Sequence, residues 1–153
     1  MKMWLLVILS GCIMLASCEQ KNQVSKIPHI SLKAFGPDSI RANYDTAYIQ
    51  FSFTDGDADL SNDTLSSVYI KDKRFDSAGF VRYDFPSIDP SIEDPKKGLT
   101  GIGLVLLLNP APVPRADSFH AIKGDTTSFE MYITDRARNE SNHIITPSLI
   151  IRP

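Results

Sequence analysis

Asp55, Asp57 and Asp59, in the stretch Phe53-Thr-Asp-Gly-Asp-Ala-Asp-Leu-Ser61, are the residues of this chain best placed to do chemistry. In a loop, carboxylates spaced i, i+2, i+4 converge on one hard cation such as Ca²⁺, which takes oxygen ligands. The spacing is not that of an EF-hand, because Leu60 stands where that loop needs Gly and Ser66 where it needs a bidentate Glu. A second polar loop, Thr134-Asp-Arg-Ala-Arg-Asn-Glu-Ser-Asn142, would bring Asp135 and Asn139 to the same cation. Two other readings stay open. Asp-Gly-Asp turns a chain and caps its own backbone without any ion, and Arg136 and Arg138 stand ready to neutralise the carboxylates directly.

Elsewhere the chain offers little chemistry. His29, His120 and His143 fall on separate predicted strands or strand ends, without the close spacing that zinc ligation on one element requires. No Gly-x-Ser-x-Gly elbow or phosphate-cradling loop occurs, and Gly101-Ile-Gly103 is too short for a dinucleotide site. The expectation is a non-catalytic protein without an organic cofactor, with Ca²⁺ as a candidate structural ion. Tyr69 and Tyr132 would stand side by side outside one sheet if their strands pair, forming a small aromatic platform for a glycan. The 18 acidic and 16 basic residues are nearly balanced, so no nucleic-acid partner is expected.

The elements that must position these residues are strands. Ala47, Ile49, Phe51 and Phe53 alternate with polar positions, as do Val68 and Ile70, Val81, Tyr83 and Phe85, and Phe129, Met131 and Ile133. A period of two marks half-buried antiparallel strands. Residues 101–108 are almost all apolar and read as a strand buried on both faces or covered by a loop. Ile30, Leu32 and Ala34 open the array. Residues 144–151 close it, with Pro147 marking an edge or a bulge. Ten prolines punctuate the chain, and two proline-rich connections, 86–97 and 109–115, read as surface loops. About seven strands in this length predict an all-β, immunoglobulin-like (fibronectin III-like) sandwich of two antiparallel sheets over residues 28–153. Phe51, Ile70, Leu104, Leu106, Phe129, Met131 and Ile133 are expected inside.

The N-terminus is of a different kind. Met1-Lys2-Met3 precedes the apolar run Trp4-Leu-Leu-Val-Ile-Leu9, which is too short to span a bilayer and fits a secretory signal. Leu15-Ala16-Ser17-Cys18 resembles the lipobox of bacterial lipoproteins. The resemblance implies a signal peptide over residues 1–17, cleavage before Cys18, and acylation of Cys18 as the membrane anchor. Residues 18–27 then form a polar tether. With Cys12 removed and Cys18 acylated, the domain carries no thiol or disulfide.

A wider resemblance follows from Phe53-Thr-Asp-Gly-Asp-Ala-Asp-Leu60, Lys97-Gly-Leu-Thr-Gly101 and Tyr132-Ile-Thr-Asp-Arg-Ala-Arg-Asn-Glu-Ser-Asn142. Together these are similar to motifs of the small immunoglobulin-like lipoproteins of the Bacteroidetes cell envelope. Ala58 and Arg138 stand where that pattern has Gly. The resemblance implies a lipid-anchored β-sandwich at the outer membrane, on its periplasmic face or the cell surface. Its partner would be an envelope protein or, alternatively, a glycan of an uptake system.

Overall fold

The computed structural model describes residues 25–60, 66–75, 77–86, 88–92, 94–107 and 124–153. The expected signal segment 1–17, Cys18, His120 and the proline-rich stretch 109–115 lie outside the described residues. Among the described residues ten strands follow one another: β1 (His29–Gly36), β2 (Ser39–Arg41), β3 (Ala47–Asp55), β4 (Ser67–Asp72), β5 (Val81–Asp84), β6 (Leu99–Leu107), β7 (Asp125–Thr127), β8 (Phe129–Thr134), β9 (Ile144–Ile145) and β10 (Leu149–Arg152). A single 3-10 turn at Pro90–Ile92 is the one helical element among the described residues. The protein is an all-β sandwich.

One layer is the antiparallel sheet β1-β3-β6. The facing strands form the sheets β5-β4-β8-β9 and β2-β10-β7, with β2 parallel to β10. Only Ser128 separates β7 from β8, and three residues around Pro147 separate β9 from β10. Across this double break the Phe129 amide donates to Thr146 Oγ1 at 2.9 Å, and the Thr146 amide donates to the Phe129 carbonyl at 2.9 Å. Thr146 thus supplies both the donor and the acceptor that a kink at Pro147 would otherwise leave unpaired. The opening strand breaks as well: after Pro37 the chain leaves β3 and joins β10 as β2. The ten strands are therefore seven runs of chain, three of them broken in two.

The core lies between the layers. From β3 come Ala47, Ile49, Phe51 and Phe53, from β4 Val68 and Ile70, and from β8 Phe129, Met131 and Ile133, all buried. Phe53 meets Phe85 edge-on at 5.5 Å, and Phe35 meets Phe129 at 6.3 Å. Each such side chain contributes roughly 1.5–3 kcal/mol by leaving water. β5 is an edge strand, and its Val81 and Tyr83 are exposed, so in that run only Phe85 enters the core.

Strand β6 corrects the sequence reading. Leu104 and Leu106, expected inside, are 59% and 51% exposed, and Ile102 is 67% exposed. They share the outer face of the sheet, opposite Gln50, Tyr48 and Ser52. The inward row runs Leu99, Gly101, Gly103, Val105 and Leu107, with the leucines at its two ends buried in the core. The reason lies across the strand pair: Phe53 pairs with Gly101 and Phe51 with Gly103, and each ring lies over its glycine. A Cβ on Gly101 would stand 2.5 Å from the Phe53 ring, and one on Gly103 would collide with the Phe51 ring. The glycine pair exists to seat two phenylalanines. Gly103→Ala should therefore destabilise the domain by about 1–3 kcal/mol through overpacking, measured by urea unfolding. Ala at exposed Leu104 should stay within about 1 kcal/mol of the parent. Equal losses at the two positions would contradict this packing.

Candidate functional site

The inward row of β3 runs Ala47, Ile49, Phe51, Phe53 and then Asp55. The inward row of β8 runs Phe129, Met131, Ile133 and, one step past the strand, Asp135. Strand alternation thus carries a carboxylate into the end of the core on each layer, and both are fully buried. The two aspartates reach different local solutions.

Asp135 closes its own loop. Its Oδ1 accepts the Asn139 amide at 2.7 Å, and its Oδ2 accepts Asn139 Nδ2 at 2.7 Å. Its amide in turn donates to the Asn139 carbonyl at 3.2 Å. Arg138, at φ 68°, adopts the left-handed conformation that this tight return requires.

Asp55 is only half satisfied. Its Oδ2 accepts the Asp59 amide at 2.8 Å, while its Oδ1 is buried without a hydrogen-bond partner. Asp57 and Asp59 each also keep a buried Oδ1 without a partner. The turn that gathers them has Ala58 buried at φ 57°. One carboxylate oxygen from each of Asp55, Asp57 and Asp59 lies within 4.8 Å of the others. Burial, with the charges of Asp59, Asp57 and Asp135 adding to it, pushes the Asp55 carboxyl up to about 7, although the Asp59 amide opposes the shift. Burial and the Asp135 and Asp57 charges raise Asp59 as well, against the Ala137 amide and the Arg136 charge, which lower it. Among the described residues no Lys or Arg side chain forms an ion pair with these three carboxylates.

The two loops are fastened together. The Asp59 carbonyl accepts from the Arg136 amide at 3.3 Å, from Arg136 Nε at 3.2 Å and from Ser66 Oγ at 3.3 Å. Asp59 Oδ2 accepts the Ala137 amide at 3.2 Å. Gly98, at φ 71°, lies against the Asp55 carbonyl, where a Cβ would come within 2.7 Å. That contact explains why the Lys97-Gly98-Leu99 stretch needs its glycine. The Gly56 amide donates to the Ser25 carbonyl at 2.8 Å, so the chain enters the domain at this corner. The structure therefore brings all five residues of the sequence-derived cation set to one end. Asp55, Asp57 and Asp59 form the oxygen cluster, while Asp135 and Asn139 are engaged with each other beside it.

The opposite end shows how the fold treats acidic residues when a side-chain cation is at hand. Arg74, with its side chain 8% exposed, holds Asp72 through Nε and Nη2 and reaches Asp125 Oδ2 at 2.8 Å through Nη1. Thr127 Oγ1 also donates to Asp72 Oδ1. Nothing in the spacing of Asp72, Arg74 and Asp125 announced this network, because its closure spans 51 residues of chain.

Tyr69 and Tyr132 do pair across β4 and β8, and their rings stack at 4.7 Å and 7°. His143 stacks on Tyr132 at 4.6 Å and 10°, and Phe80 meets Tyr132 edge-on at 4.9 Å. Tyr132 thus has a ring against each of its faces, whereas a sugar needs a free one. The row is held by two carboxylates: His143 Nδ1 lies 2.7 Å from Glu130 Oε1, and Nε2 lies 2.8 Å from Glu140 Oε1. Lys73 lies 4.0 Å from the other Glu130 oxygen. Spacing alone assigns His143 no such role; the hairpin that returns it to β8 does.

No protein-family model, curated protein or solved structure matches the chain. The functional reading therefore rests on sequence and geometry.

Hydrogen bonds to Glu130 and Glu140 raise the His143 pKa above its ordinary 6.5. A raised folded-state pKa stabilises the protein fully below the unfolded value and loses that stabilisation as pH rises through the folded one. The melting temperature of the parent minus that of His143→Gln should therefore be largest near pH 5.5 and shrink toward pH 8.5. A difference independent of pH would contradict the carboxylate-held row.

Proposed function

We propose that the chain is a lipid-anchored, non-catalytic binding or structural module of the cell envelope, seated on the outer membrane through acylated Cys18. The observation that carries this reading is Leu15-Ala16-Ser17-Cys18 behind a short apolar run. Where the chain enters the sandwich supports it. Ser25 is fastened to Gly56 at the acidic corner. The residues between Cys18 and Ser25 reach at most about 25 Å when extended, so a lipid on Cys18 would turn that corner toward the membrane. The strand order supports the immunoglobulin-like reading: the opening strand crosses between layers, and β2 runs parallel to the terminal β10. The outer row Ile102, Leu104 and Leu106 supports a binding role, because apolar rows left in water are features of interaction surfaces. The alternative reading, a carbohydrate-binding accessory lipoprotein, draws no support from the Tyr69–Tyr132–His143 row.

The test is metabolic labelling with a fatty-acid analogue, followed by membrane fractionation. The parent chain should carry label and sediment with membranes. Cys18→Ser should lose the label and accumulate uncut. Label retained in Cys18→Ser, or a parent chain that never takes label, would overturn the anchoring claim.

A further inference from the structure

We propose that Asp55, Asp57 and Asp59 form a Ca²⁺ site at the corner where the chain enters the sandwich. An acidic cluster alone would not carry this, since aspartates in turns commonly cap backbone amides. What carries it is Asp55. Its side chain is fully buried, one of its oxygens is already engaged by the Asp59 amide, and the other is buried with no partner. Asp57 and Asp59 repeat the pattern, each with a buried, unpartnered oxygen. Native structures rarely leave one such oxygen unexplained, and here three occur within a single turn.

The chemistry of the vicinity selects a cation. Three carboxylates in one turn repel one another, and Asp135 adds a fourth acidic group nearby. Neutralisation by arginine, one of the readings open in the sequence, is not what the described contacts show. Arg136 turns its Nε to the Asp59 carbonyl, and its amide does the same. At the other end of the sandwich the fold balances Asp72 and Asp125 with a buried Arg74. At this end the Arg136 charge eases Asp59 from the carbonyl side, but the buried Oδ1 atoms of Asp55, Asp57 and Asp59 keep no hydrogen-bond partner.

The donor set selects Ca²⁺. All donors are carboxylate oxygens, which excludes a preference for soft metals. One oxygen from each carboxylate lies within 4.8 Å of the others, close enough for a single cation to touch all three. Mg²⁺ requires about 2.0–2.1 Å and near-octahedral geometry, a poorer fit to an irregular turn. Asp57 and Asp59 are partly exposed, so water can complete the shell. A bound ion would tie together the end of β3, the β8–β9 loop fastened to Asp59, and the entering segment at Ser25 fastened to Gly56.

The experiment uses the full chain purified in detergent, dialysed against chelator and then melted with CaCl₂, MgCl₂ or chelator alone. Anything that binds only the folded state raises its melting temperature. At a hundredfold excess over Kd, CaCl₂ should raise it by on the order of 10 °C, and chelator should reverse the rise. Asp57→Asn keeps the shape of the turn and removes one charge. It should lose most of the calcium response while melting at or above the parent in chelator, because a mutual repulsion is relieved. A purely structural Asp57 would instead lower the melting temperature in chelator. No calcium shift in the parent, or an undiminished shift in Asp57→Asn, would overturn the site. An equal shift with MgCl₂ would overturn its assignment to calcium.

Discussion

A carboxylate driven into the end of a hydrophobic core is the constraint on which this structure turns. Strand alternation is indifferent to chemistry. Once Phe51 and Phe53 face inward, the residue two further on faces inward too, and that residue is Asp55. The same rule delivers Asp135 after Met131 and Ile133. An ionised carboxylate is tolerated in such a place only with hydrogen bonds or a counter-charge. The end of the sandwich is organised around meeting that demand, and the loops there take their shapes from it. Asn139 folds back on Asp135, Ala58 and Arg138 accept left-handed backbone, and Gly98 lets a neighbouring turn approach the Asp55 carbonyl.

The two ends of the molecule make the point by contrast. At one end Arg74 lies between Asp72 and Asp125, and charge and hydrogen bonding close together. At the other, backbone amides satisfy part of the demand and leave three buried oxygens of one turn without a partner. A buried oxygen left without a partner typically costs about 1–3 kcal/mol, so a corner with three of them is a weak point unless something binds there. The entry of the chain at this same corner links the question to anchoring. Whatever orders the turn around Gly56 also orders the point where Ser25 begins the domain.

Much of the fold was legible from periodicity. The inward rows of β3, β4 and β8 read directly from alternation, and seven runs of chain lie where about seven strands were expected. Pro147 marks a real interruption, between β9 and β10. Strand β6 was misread because it is apolar on both faces, and alternation cannot say which face is in. The deciding information was in its partner, where Phe51 and Phe53 need the glycines opposite them. The aspartate cluster was visible in its spacing, but the division of labour within it was not. That Asp135 is satisfied by Asn139 while Asp55 keeps an orphaned oxygen depends on hydrogen bonds of particular loops. The Arg74 network and the His143 row depend on strand register, which brings together residues distant in sequence.

The apolar outer row of β6 and the acidic corner are separate surfaces, and a membrane-tethered module would use them differently. In the proposed function the row meets a partner, whereas the corner sets how firmly the domain is built where the chain enters it. The most direct measurement of the central claim is a crystal structure grown with millimolar CaCl₂, with anomalous data collected to locate the ion. The account predicts one peak coordinated by oxygens of Asp55, Asp57 and Asp59 at about 2.3–2.6 Å, with Asp135 still bonded to Asn139 beside it. A structure in which those oxygens are satisfied by an arginine or lysine, or are open to bulk water with no ion, would contradict it.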